Sequence, residues 1–259
     1  RDIRITTHYY EDNLLSSFYS VVHEGGHALY ELNTGDDLFC SPLGTGASMG
    51  IHESQSRFFE NIIGRSEAFI SLIFPKIKEL FPEQFENVSA HDFYLAVNQA
   101  EPSLIRTEAD ELTYSMHIMV RYEIEKRLMD GSLSTKDLPN EWNRLYKEYL
   151  GIDVPCDSMG CLQDSHWSGG ALGYFPSYSL GSAYGAQFLH KMKQDIDIDK
   201  LVSENRIDEV TAWLTEKIHK YGMLLTPAQL IENACGEEFN ADYYIEYLTE
   251  KYNKIYDLK

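Results

Sequence analysis

Apolar residues recur along this chain at intervals of three and four, the spacing that paints one face of an α-helix, and no long stretch shows the strict alternation of a strand. Leu14, Leu15, Phe18, Val21, Val22, Leu29 and Leu32 predict a helix over 11–33, with Glu11 and Asp12 placing negative charge at its N-terminus. Residues 34–50 hold Gly35, Pro42, Gly44, Gly46 and Gly50 and read as a loop with room for a short edge strand. Helical patterns resume at 51–63, 66–80 and 89–99, the last opened by Ser89 as an N-cap. A long helix is expected over Glu108–Met129, stopped by Gly131. Others follow at 138–149, 170–193, 206–221, 227–235 and 241–256, with Thr226 and Pro227 supplying a cap and a proline first position. The fold class is mainly α, with at most a small β element near the first helix and no repeat or low-complexity linker.

At 259 residues the chain is long enough to bury a full core and reads as one compact unit, 1–259. The 41 acidic against 22 basic residues give a net charge of −19, which repels phosphate backbones and anionic lipid and excludes nucleic acid and membrane surfaces as partners. Cys40, Cys156, Cys161 and Cys235 form no CxxC pair and read as free thiols of a reducing, cytoplasmic compartment. No apolar run reaches the roughly 20 residues that span a bilayer. The N-terminus lacks a secretory signal and enters a buried helix almost at once, which suggests a fragment.

Chemistry concentrates in the first helix. His23-Glu24-Gly25-Gly26-His27 is an HExxH sequence, and the i, i+4 spacing puts both imidazoles on one face, one turn apart, where two nitrogens can reach one zinc ion. Glu24 projects where its carboxylate can reach a metal-bound water without ligating the ion, as a general base must. Gly25 and Gly26 each cost roughly 1 kcal/mol in a helix interior relative to alanine. Close approach of a substrate backbone or of a neighbouring element would justify them, a tightly crossed structural helix being the plainer reason. An open catalytic site needs a third protein ligand, for which His52 and Glu53 are the adjacent candidates; ligand chemistry alone does not choose between them. Glu31, one turn beyond His27, reads as a solvated surface residue that could also brace a ligand imidazole.

Five blocks in order resemble the M32 family of metallocarboxypeptidases, the carboxypeptidase Taq type: Asp2-Ile3-Arg4-Ile5-Thr6; residues 23–27; His52-Glu53-Ser54-Gln55; Ile105-Arg106-Thr107-Glu108-Ala109-Asp110; and Gly160-Cys161-Leu162-Gln163-Asp164-Ser165-His166-Trp167. The resemblance implies a helical zinc peptidase fold of the angiotensin-converting enzyme and neurolysin type, in chains about twice as long and homodimeric at full length. It implies a two-histidine, one-glutamate site in which Glu53 joins His23 and His27, holding zinc or, alternatively, cobalt. It further implies that single residues are released from the free C-termini of peptides.

By the same resemblance Arg106 captures the terminal carboxylate, a task that suits a guanidinium fork, while an ion pair with Asp110 or Glu101 is its structural alternative. His166 and Tyr178 would donate hydrogen bonds to the developing oxyanion, and Tyr174 would line the site. Two rival functions stand beside this one. A zinc oligopeptidase or dipeptidyl carboxypeptidase would use the same metal site in another register, and a non-catalytic helical fragment would bind metal without turnover.

Overall fold

The computed structural model describes residues 1–258, and within them the chain forms α1 (Leu14–Leu32), α2 (Met49–Arg57), α3 (Glu67–Leu80), α4 (Ala90–Val97), α5 (Tyr114–Met129), α6 (Leu138–Leu150), α7 (Pro176–Asp195), α8 (Ile198–Ser203), α9 (Ile207–Lys217), α10 (Pro227–Cys235) and α11 (Asp242–Tyr256). No strand forms among the described residues; the 34–50 loop holds a single 3-10 turn, Asp36–Leu38, where an edge strand had room to form.

Where the helices depart from the sequence pattern, local hydrogen bonding gives the reason. α1 starts at Leu14, because the Asn13 side chain accepts from Ser16 N and caps it, so Glu11 and Asp12 fall outside the first turn. α5 starts at Tyr114 instead of Glu108: the Asp110 carboxylate takes the N–H and hydroxyl of Thr113 and the N–H of Glu101, competing with helical bonds. Residues 170–175 stay outside α7, with Gly170 and Gly173 at φ of +79° and +78°. The 206–221 pattern splits at Ile218, after which His219–Tyr221 is a 3-10 turn. α8, capped by Asp197, is an addition. The pattern at 51–63 is α2 continued by a π-helix, Phe58–Ile63, in which Gly64 N bonds Phe59 O at 2.8 Å, an i−5 partner.

Packing divides the chain into two compact units where the sequence reads as one, and the division falls within α7, after Ser179. The first unit comprises Arg1–Asn98 and the chain from Leu180 onward. Its main core gathers Tyr30, Ile51, Phe58, Phe188, Met192, Leu214 and Leu230, all buried; a second core joins Tyr19, Ile70, Phe74, Phe93 and Tyr94. The Arg1 guanidinium donates to the carbonyls of Leu32, Thr34 and Gly35 and so closes the C-terminal end of α1.

Within this unit α2 is held at backbone distance from both sides. A Cβ on Gly26 of α1 would lie 2.6 Å from both Gln55 O and Ser56 Cα, and one on Gly181 of α7 would lie 2.5 Å from Glu53 Cβ. Close helix crossing therefore accounts for Gly26. Gly25 differs, since a Cβ there would meet nothing within 4 Å.

The second unit, Gln99–Ser179, is built on α5 and α6 around Val120, Ile124, Trp142, Leu145, Tyr146 and Leu150. Its buried polar centre is Asp164, whose two carboxylate oxygens are divided between two arginines. Arg106 Nε and Nη2 reach Oδ1 at 3.0 and 2.8 Å, and Arg121 Nε reaches Oδ2 at 2.7 Å. Gln163 Oε1 ties the same pair together, accepting from Arg106 N and Arg121 Nη2 at 2.9 Å each. The ionic partner of Arg106 is thus Asp164, 58 residues away, rather than Asp110 or Glu101. Burial alone would raise the Asp164 carboxyl, but Arg121 and Arg106 outweigh it and hold it below the usual carboxylate range.

Two stability predictions follow from these contacts. Gly26→Ala forces apart two helix backbones and is expected to destabilise the protein by about 1–3 kcal/mol in urea unfolding, whereas Gly25→Ala gains up to about 1 kcal/mol from helix propensity; equal effects at the two positions would refute the crossing argument. Asp164→Asn leaves two buried guanidinium groups short of an anion and should cost about 3–5 kcal/mol. Because the folded Asp164 titrates below its unfolded value, its contribution is present above about pH 4 and is lost as pH falls through the folded value. The Asp164→Asn variant should therefore lose less stability than the wild type on acidification below pH 4.

Candidate metal centre

α1 carries His23 and His27 one turn apart with ring centroids 4.9 Å from each other, and α2, pressed against α1 at Gly26, brings Glu53 opposite them. One potential ligand atom from each of His23, His27 and Glu53 lies within 4.8 Å of the others. Glu53 Oε2 is 3.6 Å from His23 Nε2 and 3.9 Å from His27 Nε2. Neighbouring ligands about 2.1 Å from a tetrahedral ion sit about 3.4 Å apart, so two imidazoles and a carboxylate at these separations fit a divalent metal ion. Of the adjacent pair that chemistry left open, Glu53 lines the group and His52 does not.

Both histidines turn Nε2 toward Glu53 because Nδ1 is held from behind. His23 Nδ1 is 2.8 Å from Glu60 Oε2 on the π-helix. Glu60 in turn meets Arg57 Nη1 at 3.1 Å and Arg65 Nη2 at 4.0 Å. Burial would raise the Glu60 carboxyl, yet Arg57, His23 and Arg65 together hold it far below its usual range. His23 itself is raised: burial works against its charge, but the bond and charge of Glu60 outweigh that.

His27 Nδ1 faces His52 Nδ1 at 2.7 Å, and His52 Nε2 faces Glu31 Oε1 at 2.8 Å. Burial first, then the neighbouring His23 and His52, push His27 down to about 3. Glu31 is therefore neither a solvated surface residue nor a direct brace of a ligand; it binds Thr45 Oγ1, Gly46 N and His52, and these bonds lower its carboxyl although burial opposes them. Glu53 is buried, its Oε2 accepting from Ser56 Oγ at 3.0 Å. Glu24, in the turn between the ligands, is half-buried.

Sequence reasoning passed over Glu60 and its arginines. The available signal was spacing, since Glu60 stands two helical turns beyond Glu53 and so on nearly the same face.

The other expected site residues belong to the second unit, where they come together. His166 Nε2 is 3.0 Å from the Tyr178 hydroxyl, and the Tyr174 ring lies 5.4 Å from the imidazole and 5.3 Å from the Tyr178 ring. The Arg106 guanidinium sits 4.5 Å over the Tyr178 ring. Every guanidinium nitrogen of Arg106 is engaged, Nη1 by Tyr114 at 2.8 Å and the others by Asp164. Burial and then Arg106 lower the His166 imidazole, which keeps it neutral near pH 7. All four cysteines are free thiols, and no helix among the described residues is long and apolar enough to cross a membrane.

Comparison with known proteins agrees with this geometry. The chain is 47% identical over 256 residues to "Carboxypeptidase 1" of Bacillus subtilis, covering 98% of this chain and 51% of that protein. It is 44% identical over 253 residues to "Thermostable carboxypeptidase 1" of Pyrococcus furiosus, covering 97% of this chain and 50% of that one. Among solved structures, the M32 carboxypeptidase from Deinococcus radiodurans superposes with a TM-score of 0.95 at 39% identity over 98% of this chain and 52% of its own. The chain thus spans about half the length of the curated relatives it matches. The family model described as carboxypeptidase Taq (M32) metallopeptidase matches residues 1–252, and with the HExxH helix and Glu53 in place the chain belongs to that family.

Proposed function

We propose that this chain carries the metal centre of a zinc-dependent carboxypeptidase that hydrolyses peptide bonds and releases single C-terminal amino acids. The observation that carries the reading is the convergence of His23, His27 and Glu53, each with its other polar atoms held by neighbours so that the donor atoms share one point. Two imidazoles and one carboxylate in tetrahedral spacing suit zinc, with cobalt as an alternative occupant. When bound, the ion supplies Lewis acidity toward water and the scissile carbonyl. Relatives named carboxypeptidase at 42–47% identity support the substrate class, peptides with a free C-terminus.

In this reading Glu24 takes the proton of the attacking water and returns it to the departing amine. The hydrogen bond between His166 and Tyr178 supports their assignment as donors to the developing oxyanion, with the Tyr174 ring beside them as a lining group. Arg106 is assigned the terminal carboxylate; its anchorage on Asp164 fixes the plane of the fork that would meet it. A cytoplasmic location and a homodimer at full length belong to the same proposal.

The deciding experiment pairs metal content with product analysis on one unblocked peptide. At saturating zinc, Glu24→Gln is expected to keep the ion and lose turnover, Glu53→Gln to lose most of the ion, and His52→Gln to keep it. The wild type should release free amino acids one at a time from the C-terminus. Dipeptides or internal fragments would favour an oligopeptidase register, and bound zinc without any product would favour a non-catalytic metal-binding fragment.

A second measurement isolates Arg106. A charge-assisted bidentate contact is worth roughly 1.5–3 kcal/mol, so amidating the peptide C-terminus should lower wild-type kcat/KM by about 10- to 150-fold. In Arg106→Lys that ratio should shrink, because both changes remove the same contact. An unchanged ratio would move the carboxylate contact to another residue.

A further inference from the structure

We infer that His52, held by Glu31, is a positioning residue that fixes the proton and the orientation of His27 and so sets the affinity of the metal centre. The inference rests on the ligand assignment above and concerns a residue that is not itself a ligand. Hydrogen accounting gives the direction. Glu31 is ionised and brings no hydrogen to its 2.8 Å contact, so His52 Nε2 must carry the proton shared with it. A neutral imidazole protonated on Nε2 has a bare lone pair on Nδ1. The 2.7 Å contact between the two Nδ1 atoms then requires a proton on His27 Nδ1, which leaves His27 Nε2 bare on the side facing Glu53. One carboxylate thereby dictates, through an intervening imidazole, which nitrogen of His27 can bind a cation.

The placement of His52 is itself built. Its ring lies 5.0 Å from the Tyr30 ring, and a Cβ on Gly46 would come within 2.6 Å of its Cδ2. Glu31 also grips the loop, binding Thr45 Oγ1 at 2.8 Å and Gly46 N at 3.0 Å, while Ala47 N donates to the Tyr30 hydroxyl at 3.0 Å. The two ligand histidines are thus braced unequally, His23 by a carboxylate directly and His27 through a second ring.

The test is zinc affinity in the intact protein, measured by competition with a chromophoric chelator, beside NMR of imidazole nitrogens in the metal-free state. His52→Leu removes the acceptor and is expected to raise the zinc Kd about 10- to 100-fold. His52→Asn, whose side-chain oxygen occupies the position of Nδ1, should recover most of that loss. Metal-free wild type and His52→Asn should show the His27 proton on Nδ1, and His52→Leu a mixture of tautomers. A Kd within twofold of wild type in His52→Leu, or a wild-type His27 protonated on Nε2, would overturn the inference. Should His52→Leu fail to fold by circular dichroism, the wild-type tautomer and the His52→Asn affinity decide alone. His27→Ala separates the two layers: wild-type affinity there overturns the ligand assignment and this inference with it, whereas a lost site in His27→Ala with an unchanged His52→Leu overturns this inference only.

Discussion

Glu53 can stand opposite His23 and His27 only because α2 is gripped between two helices that approach it without side chains in the way. Gly26 admits the backbone at Gln55 and Ser56 from one side, and Gly181 admits Glu53 itself from the other. The separation that results is set by main-chain contact, which is stiff, and not by flexible side chains, which yield. Two α-helices meeting on side chains lie about 8–10 Å apart. At a crossing with no Cβ on one side, a short carboxylate such as Glu53 can reach across to two imidazoles and remain buried.

Around that fixed geometry the chain spends buried charge. Glu60 with Arg57 and Arg65 stands behind one ligand, and Glu31 with His52 stands behind the other. Ionised groups out of water are tolerated where each has a partner and fixed hydrogen bonds, and they then impose direction as well as attraction. Asp164 does the same work in the second unit, binding two arginines and, through its neighbour Gln163, the backbone at Arg106. Buried carboxylates in this protein serve chiefly to aim nitrogen atoms.

What the sequence made legible follows the range over which each cause acts. Helix faces, the Ser89 and Thr226 caps and the i, i+4 histidines are local and emerge where expected. Gly26 was expected to need a close neighbour, and it has one. Reasons that reach across the fold were out of range: Asp164 as the partner of Arg106, the imidazole bridge from Glu31 to His27, and Gly181 against Glu53. Asp110 illustrates the limit from the other side. It looked like an ionic partner for Arg106 and instead closes a turn that delays α5 by several residues.

The π-helix after α2 carries a consequence for how such a chain can vary. A regular α-helix advances about 100° per residue, so its wider turn holds one residue more than the regular path needs. Deleting any one residue between Phe58 and Ile63 could restore an ordinary helix without breaking it, yet everything downstream in that helix would swing by about 100°. Ile63, now in the core, would be turned from it, and the relation of Glu60 to His23 would be lost. At this segment the number of residues is constrained as strictly as their identity, so lineages of this protein are free to exchange side chains here long before they are free to gain or lose a codon.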